Sequence, residues 1–336
     1  YDTNTKTLKT VKEDWYGYED KLVFVYFCGP TVYDKIHIGN LRSFITSDIL
    51  YRVLLTNYNV IFVRNITDID DKIINKMKEE EKSFEDFVDE KISFFNKDVK
   101  NMNFLNPTYQ PRATESMTSI KVIIGKLIHS GYAYISNGSV YFDTSSVPNI
   151  RKIFNKPSDN SESRVEENKD KKNKEDFVLW KKETDGPVWD SPWGKGRPGW
   201  NTECVAMIKE LIMYSINPIS IHGGGIDLQF PHHANEHLQN YALYKQNLSD
   251  IWMHVNMLTI DGKKMSKSSG KKILISEILE KYHADIIRYY FMSTHYSKIL
   301  DFSYEKLDSS STIFKELFSN IKNHIDFSDA SAKYIY

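Results

Sequence analysis

Only two of the 336 residues are cysteine, Cys28 and Cys204. A chain this long with two thiols and no apolar leader in "YDTNTKTLKT" is read as belonging to a reducing compartment, and the cytoplasm is the expected location. There, thiols serve as ligands, catalytic groups or plain core residues rather than as disulfide partners. Long apolar runs are missing as well. "LVFVYF" (22–27) is strand length, far short of the roughly 18 residues of a helical membrane span, so none is expected. Charge of one sign is missing too, since 44 basic and 45 acidic residues leave a net charge of −1. Any polyanion must therefore be held by local patches instead of global attraction. "NKDKKNK" (168–174) is one such patch, or equally a solvated loop. Repeats are absent. With 40% apolar and 26% charged residues, what is present suits an ordinary globular chain of two or three packed units.

The first hundred residues alternate in style. "KLVFVYFCG" is a short β-branched and aromatic run closed by Gly-Pro, which predicts a buried strand. "HIGNLRSFITSDILYRVLL" places Ile38, Leu41, Phe44, Ile45 and Ile49 at helical spacing. "NVIFVRNIT" predicts a second strand and "DDKIINKMKEEEKS" a helix with two acids at its start, Asp70 and Asp71, read as a cap before a metal site. This alternation implies a parallel sheet with ligands at the carboxyl ends of its strands. Around Asn137-Gly138 the pattern predicts a hairpin. Residues 111–195 read as an insertion; "PISIHGGGIDL" and "IWMHVNMLTI" resume the strand style, and the last sixty residues read as helical without sheet signal. The expected division is 1–110 and 196–270 for the two halves of a nucleotide-binding domain, 111–195 for the insertion and 271–336 for a helical segment.

Two stretches carry chemistry. A helix start after a strand, at "HIGN" (37–40), is an anion site in waiting, with free N–H groups and room beside Gly39. Alone it reads as a capped helix with a core histidine. "DGKKMSKSSG" (261–270) crowds Lys263, Lys264 and Lys267 into a glycine-bounded loop, either a surface loop or a phosphate clamp.

Together these resemble the HIGH and KMSKS motifs of class I aminoacyl-tRNA synthetases, here "HIGN" and "KMSKS" (264–268). "CGPTVYD", "RNITDIDDKI", "DFVLWK", "SPWGKGRPGW", "HGGGIDLQFPHHANE" and "WMHVNMLTIDGKKMSKSSG" are similar, in order, to cysteinyl-tRNA synthetases over about residues 8 to 305. The resemblance implies an α/β fold with a Rossmann-like parallel sheet, an α+β insertion and a C-terminal helical segment. It implies ATP-dependent activation of L-cysteine and transfer to tRNA-Cys, with magnesium accompanying ATP and a monomer as the expected state.

Cys28, Cys204 and a pair from "PHHANE" then make a zinc set by charge, softness and number. His232 with Glu236 and His233 with His237 are both i, i+4 pairs, and spacing does not choose between them. The family pattern takes His232 and Glu236. Its alternative is two buried free thiols beside a polar helix. In this family the substrate sulfur joins those ligands, which would separate cysteine from the isosteric serine without editing. The resemblance also places Gly29, Thr31, His37, Gly39, Asn40 and Lys267 at ATP, with His37, Asn40, Lys264 and Lys267 catalytic. Thr67, Trp200 and His222 fall around the bound amino acid, and Asp227 on its ammonium or the ribose. Core packing for Trp200 and a structural hydrogen bond for His222 are the plainer alternatives. Three departures stand out. Asn40 replaces the last histidine of HIGH, Asn201 turns "GWH" into "GWN", and the anticodon-binding domain of the family is expected to be missing. A relative that passes cysteine to an amino-sugar and a non-catalytic zinc-bearing nucleic-acid module are the alternative functions.

Overall fold

The computed structural model describes residues 1–12, 22–147, 154, 169–212, 218–260, 262–264 and 272–324. Lys267 and the rest of the lysine-serine run past Lys264 lie outside the described residues, as does the polar stretch 155–168.

The chain enters the core through β1 (Leu22–Phe27), α1 (Ile38–Leu55), β2 (Asn59–Arg64), α2 (Asp71–Glu79) and α3 (Phe84–Asn101). The insertion follows as α4 (Met117–His129), β3 (Ala133–Ser136), β4 (Ser139–Phe142), β5 (Phe177–Lys182) and β6 (Gly196–Pro198). Then come α5 (Trp200–Leu211), β7 (Ile219–Gly225), α6 (Ala234–Tyr244), β8 (Ser249–Val255), β9 (Leu258–Ile260) and β10 (Lys263–Lys264). The chain closes with α7 (Ile275–Leu279), α8 (Ala284–Met292), β11 (Leu300–Phe302) and α9 (Tyr304–His324).

The apolar runs find their places in a parallel sheet of order β2-β1-β7-β8. From β1 the chain steps outward to β2 on one side and returns by β7 on the other, so the sheet's order reverses at the β1–β7 seam. A crevice forms at the carboxyl ends of strands at such a switch point. Val23, Val25 and Phe27 pack on one face of β1 and Phe24, Tyr26 and Cys28 on the other, in separate buried clusters, as a strand covered on both sides requires. Asp70 caps α2, its carboxylate accepting from the Lys72 N–H at 2.8 Å, in keeping with the cap expected there.

The insertion builds an antiparallel sheet, β3-β4-β5-β6, whose first turn is Asn137-Gly138 with φ of 49° and 83°. That pair of positive φ values is what a two-residue hairpin demands. Three expectations need correction. The insertion's sheet runs on to Pro198, past the boundary at 195, because β6 pairs with β5. "IWMHVNMLTI" is two strands, not one: the Asn256 side chain accepts from the Met257 N–H and donates to Ser297 O, which breaks the run. Finally, the C-terminal segment is not purely helical. β11 pairs in parallel with β9, which also pairs with β10, giving a three-stranded sheet. Three residues carry too little alternation to announce a strand whose partner lies some forty positions earlier.

Candidate active site and metal centre

The β1–β7 seam sets the geometry. Cys28 follows the end of β1, and its backbone N–H donates to Gly223 O of β7 at 3.0 Å. Gly29 must be glycine, since a Cβ there would stand 1.6 Å from Asn65 O just past β2. The chain then turns through Thr31, whose neighbour Val32 donates to Thr67 O at 3.1 Å, and α1 opens at His37. Behind the seam, α5 delivers Cys204, and the kinked start of α6 delivers His232 and Glu236.

These four side chains meet. One donor atom from each of Cys28, Cys204, His232 and Glu236 lies within 4.8 Å of the others, and all four are buried. The Glu236 Oε1 is 2.7 Å from His232 Nε2, which is 3.6 Å from Cys204 Sγ and 3.8 Å from Cys28 Sγ. His233 also reaches Cys28 Sγ, at 3.4 Å, and forms a second buried group with Cys28, His222 and Glu236. His237, its partner in the alternative spacing, belongs to neither group; its Nδ1 accepts from the Leu248 N–H at 3.4 Å.

Electrostatics there follow from burial and mutual contact. Burial opposes charge on Glu236, yet His232 and His222 hold its carboxyl well below the usual range. Burial likewise opposes an imidazolium at His232, but Glu236 and Cys204 lift it to about 10. Burial pushes the Cys28 thiol up, and the contact with Cys28, then burial, pushes Cys204 well up. Two soft sulfurs, one imidazole and one carboxylate, buried and converging on one point, fit a tetrahedral zinc ion in number and chemistry.

Asn201 orients one of the donors. Its Oδ1, which can only accept, lies 3.0 Å from His232 Nδ1, so that nitrogen carries hydrogen and Nε2 is left to face the sulfurs. On the other side His222 Nε2 donates to Glu236 Oε2 at 2.6 Å, leaving Oε1 for the shared point. A third support is longer. Thr3 donates to Trp252 O, so it accepts from His254 Nδ1, and His254 Nε2 then accepts from His233 Nδ1 at 2.8 Å. The bare Nε2 of His233 is thereby aimed at Cys28. Burial pushes His254 down to about 3 and His233 well below its ordinary value, consistent with a neutral row.

Above these groups opens a cavity of about 380 Å³. Its walls include Cys28, Gly29, Thr31, His37, Gly39, Asn40, Thr67, Trp200, Cys204, Asp227 and His232, so most of the expected site residues face one space, while Glu236 lies behind the wall. His222 stands behind Glu236, outside the cavity wall, and its ring stacks on Trp252. Trp200 lies over the His232 ring with centroids 4.0 Å apart, so it lines the cavity and packs on a donor at once. Lys264 contributes its backbone to β10 opposite Thr259. At the helix start His37 Nδ1 accepts from the Gly39 N–H at 3.1 Å, and Asn40 Oδ1 accepts from the His37 N–H at 3.2 Å. This reciprocal cap leaves His37 Nε2 and the Asn40 amide nitrogen as the outward donors. Burial, then Lys272, lowers the His37 pKa, so it presents a neutral N–H.

The family model described as "tRNA synthetases class I (C) catalytic domain" matches residues 16–312. A protein named cysteine–tRNA ligase from Aliarcobacter butzleri is 43% identical over 330 residues, covering 97% of this chain and 71% of its own length. The chain belongs to the cysteine–tRNA ligase family. These are class I aminoacyl-tRNA ligases, which makes the protein an enzyme of that type. A second family member, from Aquifex aeolicus, is 40% identical over 94% of this chain and 64% of its own length. The chain thus spans about two thirds of the length of these cysteine–tRNA ligases. The fold is shared more widely. A methionyl-tRNA synthetase of Mycobacterium tuberculosis, solved with methionyl-adenylate, superposes with a TM-score of 0.68 at 14% identity, over 86% of this chain and 67% of that one. Among the described residues no helix is long and apolar enough to cross a membrane.

Sequence reasoning overlooked several members of this cysteine–tRNA ligase site. Asn201 stood out only as a departure from "GWH", without a role. Thr3 and His254 gave no local signal, and His233 was weighed only as an alternative ligand with His237, because their row joins residues some 250 positions apart. Arg42 was missed as well. Buried one turn into α1, it donates to the carbonyls of Asn256, Met257 and His295, clamping the break between β8 and β9 onto the cavity wall. An arginine at that place in an apolar helix face was the available clue.

Proposed function

We propose that the chain activates L-cysteine with ATP to cysteinyl-adenylate, releasing pyrophosphate, and passes the cysteinyl group to the 3′ end of tRNA-Cys, with zinc held by Cys28, Cys204, His232 and Glu236. The observation that carries this reading is the convergence of those four buried donors, three of which (Cys28, Cys204 and His232) line a cavity whose wall also includes the capped helix start at His37–Asn40. Zinc, when bound, supplies a soft Lewis acid that favours a thiolate over the far less acidic alcohol of serine.

The chain's own residues do the rest. Asn201 and His222 hold the imidazole and the carboxylate so that one atom of each faces the substrate side. Thr67, Trp200 and Asp227 line the space between those donors and the helix start, where Asp227 offers a carboxylate to the substrate ammonium. The first N–H groups of α1 are already bonded, Ile38 to Ile273 O and Gly39 to His37 Nδ1, so the neutral donors of His37 and Asn40, backed by the positive end of the helix dipole, meet the α-phosphate. Lys264 and Lys267 take the charge of the departing pyrophosphate. Rate gain in such a site comes from positioning and from donors fixed in advance. Magnesium accompanies ATP as its counter-ion.

Cysteine-dependent ATP–pyrophosphate exchange by the zinc-loaded protein tests this. Exchange with cysteine, none with serine, and one zinc per chain are expected. Equal exchange with the two amino acids, or none with either, would sink the proposal.

A further inference from the structure

Gly262, which leads into β10, is held from outside its own sequence. Asp301, in β11, accepts on Oδ1 from the Gly262 N–H and from the Thr259 hydroxyl, both at 2.8 Å. Its Oδ2 and its main-chain oxygen each accept from Lys306 Nζ at 2.9 Å, one turn into α9. Gly262 has a φ of +71°, in the left-handed region, and nothing lies within 4 Å of where its Cβ would stand. Conformation, not crowding, therefore calls for glycine. Thr259 sits opposite Lys264 on one side and Asp301 on the other. Lys306 first, then Gly262 and Thr259, hold the Asp301 carboxyl down to about 2, so it stays ionised at working pH. The ion pair with Lys306 is exposed and adds little stability. The value of the arrangement is directional.

We propose that Asp301 is a positioning residue for Lys264: by fixing Gly262 and Thr259 it sets where the strand bearing Lys264 begins, and so ties the C-terminal segment to pyrophosphate release. This rests on the reading of Lys264 as a pyrophosphate contact. Asp301 touches no substrate. It acts through the backbone, and a catalytic group misplaced by about 1 Å can lose about 100-fold in rate.

The test is cysteine-dependent ATP–pyrophosphate exchange by the zinc-loaded chain. Asp301→Ala is expected to lower the maximal rate by about 30- to 100-fold, with the cysteine KM within about twofold and zinc content unchanged. Asp301→Asn keeps an oxygen for Gly262 and Thr259 and is expected within about threefold of the unsubstituted chain. A full rate in Asp301→Ala, or an equal loss in both variants, overturns the proposal. So does a loss accompanied by a raised cysteine KM or by missing zinc, which would mark general damage. Should Asp301→Ala fail to fold, Thr259→Val with Lys306→Met strips two of the three anchors. A fall of about tenfold in rate at constant cysteine KM supports the proposal, and an unchanged rate overturns it. No exchange by the unsubstituted chain would instead strike at the function proposed above.

Discussion

At the floor of the cavity every donor atom is buried, braced by a neighbour, and drawn from well-packed elements on both sides of the β1–β7 seam. At the rim the charges are half-exposed: Asp34, on the cavity wall, pairs with Lys272 at 2.6 Å, and both are in contact with water. The floor can afford no motion, because it distinguishes one atom from another. Under the proposed function the rim handles phosphates that arrive, change charge and leave, a task suited to charges that water can share. Selectivity and turnover would then be lodged in differently built parts of one cavity.

The largest expected effect breaks the floor. Cys204→Ser should abolish stoichiometric zinc and raise the cysteine requirement at least about 1,000-fold, since it removes one of two soft donors. Full zinc by metal analysis would take Cys204 out of the set. Next comes the lysine loop. Lys267→Ala should slow exchange by about 100- to 1,000-fold while cysteine binding stays, as loss of transition-state charge stabilisation predicts. An unchanged exchange rate would reject its role.

A third prediction concerns protons on the floor. The Cys28 and Cys204 thiols are pushed up, and His232 is raised to about 10, so all three are protonated at neutral pH without metal. Zinc must displace those protons. Its affinity should therefore rise with pH and be lost as pH falls, by more than about tenfold per unit between pH 6 and 8. Proton release on zinc addition in weak buffer measures this, and a flat profile would contradict it. Asn201→Ala is subtler: about 10- to 100-fold weaker zinc binding is expected from loss of the imidazole's orienting partner. Unchanged affinity in a competition titration would show that Asn201 does not orient it. Smallest is Asp70→Ala, which should cost about 1 kcal/mol through the α2 cap and leave zinc content intact. A zinc loss there would revive the metal reading of "TDIDD".

Much of this was legible because β1, β2 and α1 announce themselves by local pattern, and the cysteines, "HHANE" and "HIGN" are short distinctive strings. Four donors spread over 28 to 236 could be named together only by family likeness; spacing alone left His233 and His237 in play. What stayed hidden shares one property, namely that its partner is remote. β11 exists because β9 offers an open edge, not because Leu300–Phe302 prefers extension. The reciprocal cap turns His37 and Asn40 from independent donors into one locked unit, which no count of residue types reveals. Asp301 reads as an ordinary surface acid until Gly262 and Thr259 are seen beside it.

One feature of the seam reaches beyond selectivity. Cys28 comes from the first half of the divided sheet and its three companions from the second, with the whole insertion strung between. An ion there would rivet the halves across the whole insertion, and closing so long a loop removes much disorder. Zinc scarcity would then be felt first as a looser, more protease-sensitive protein, and only afterwards as mistaken choice of amino acid.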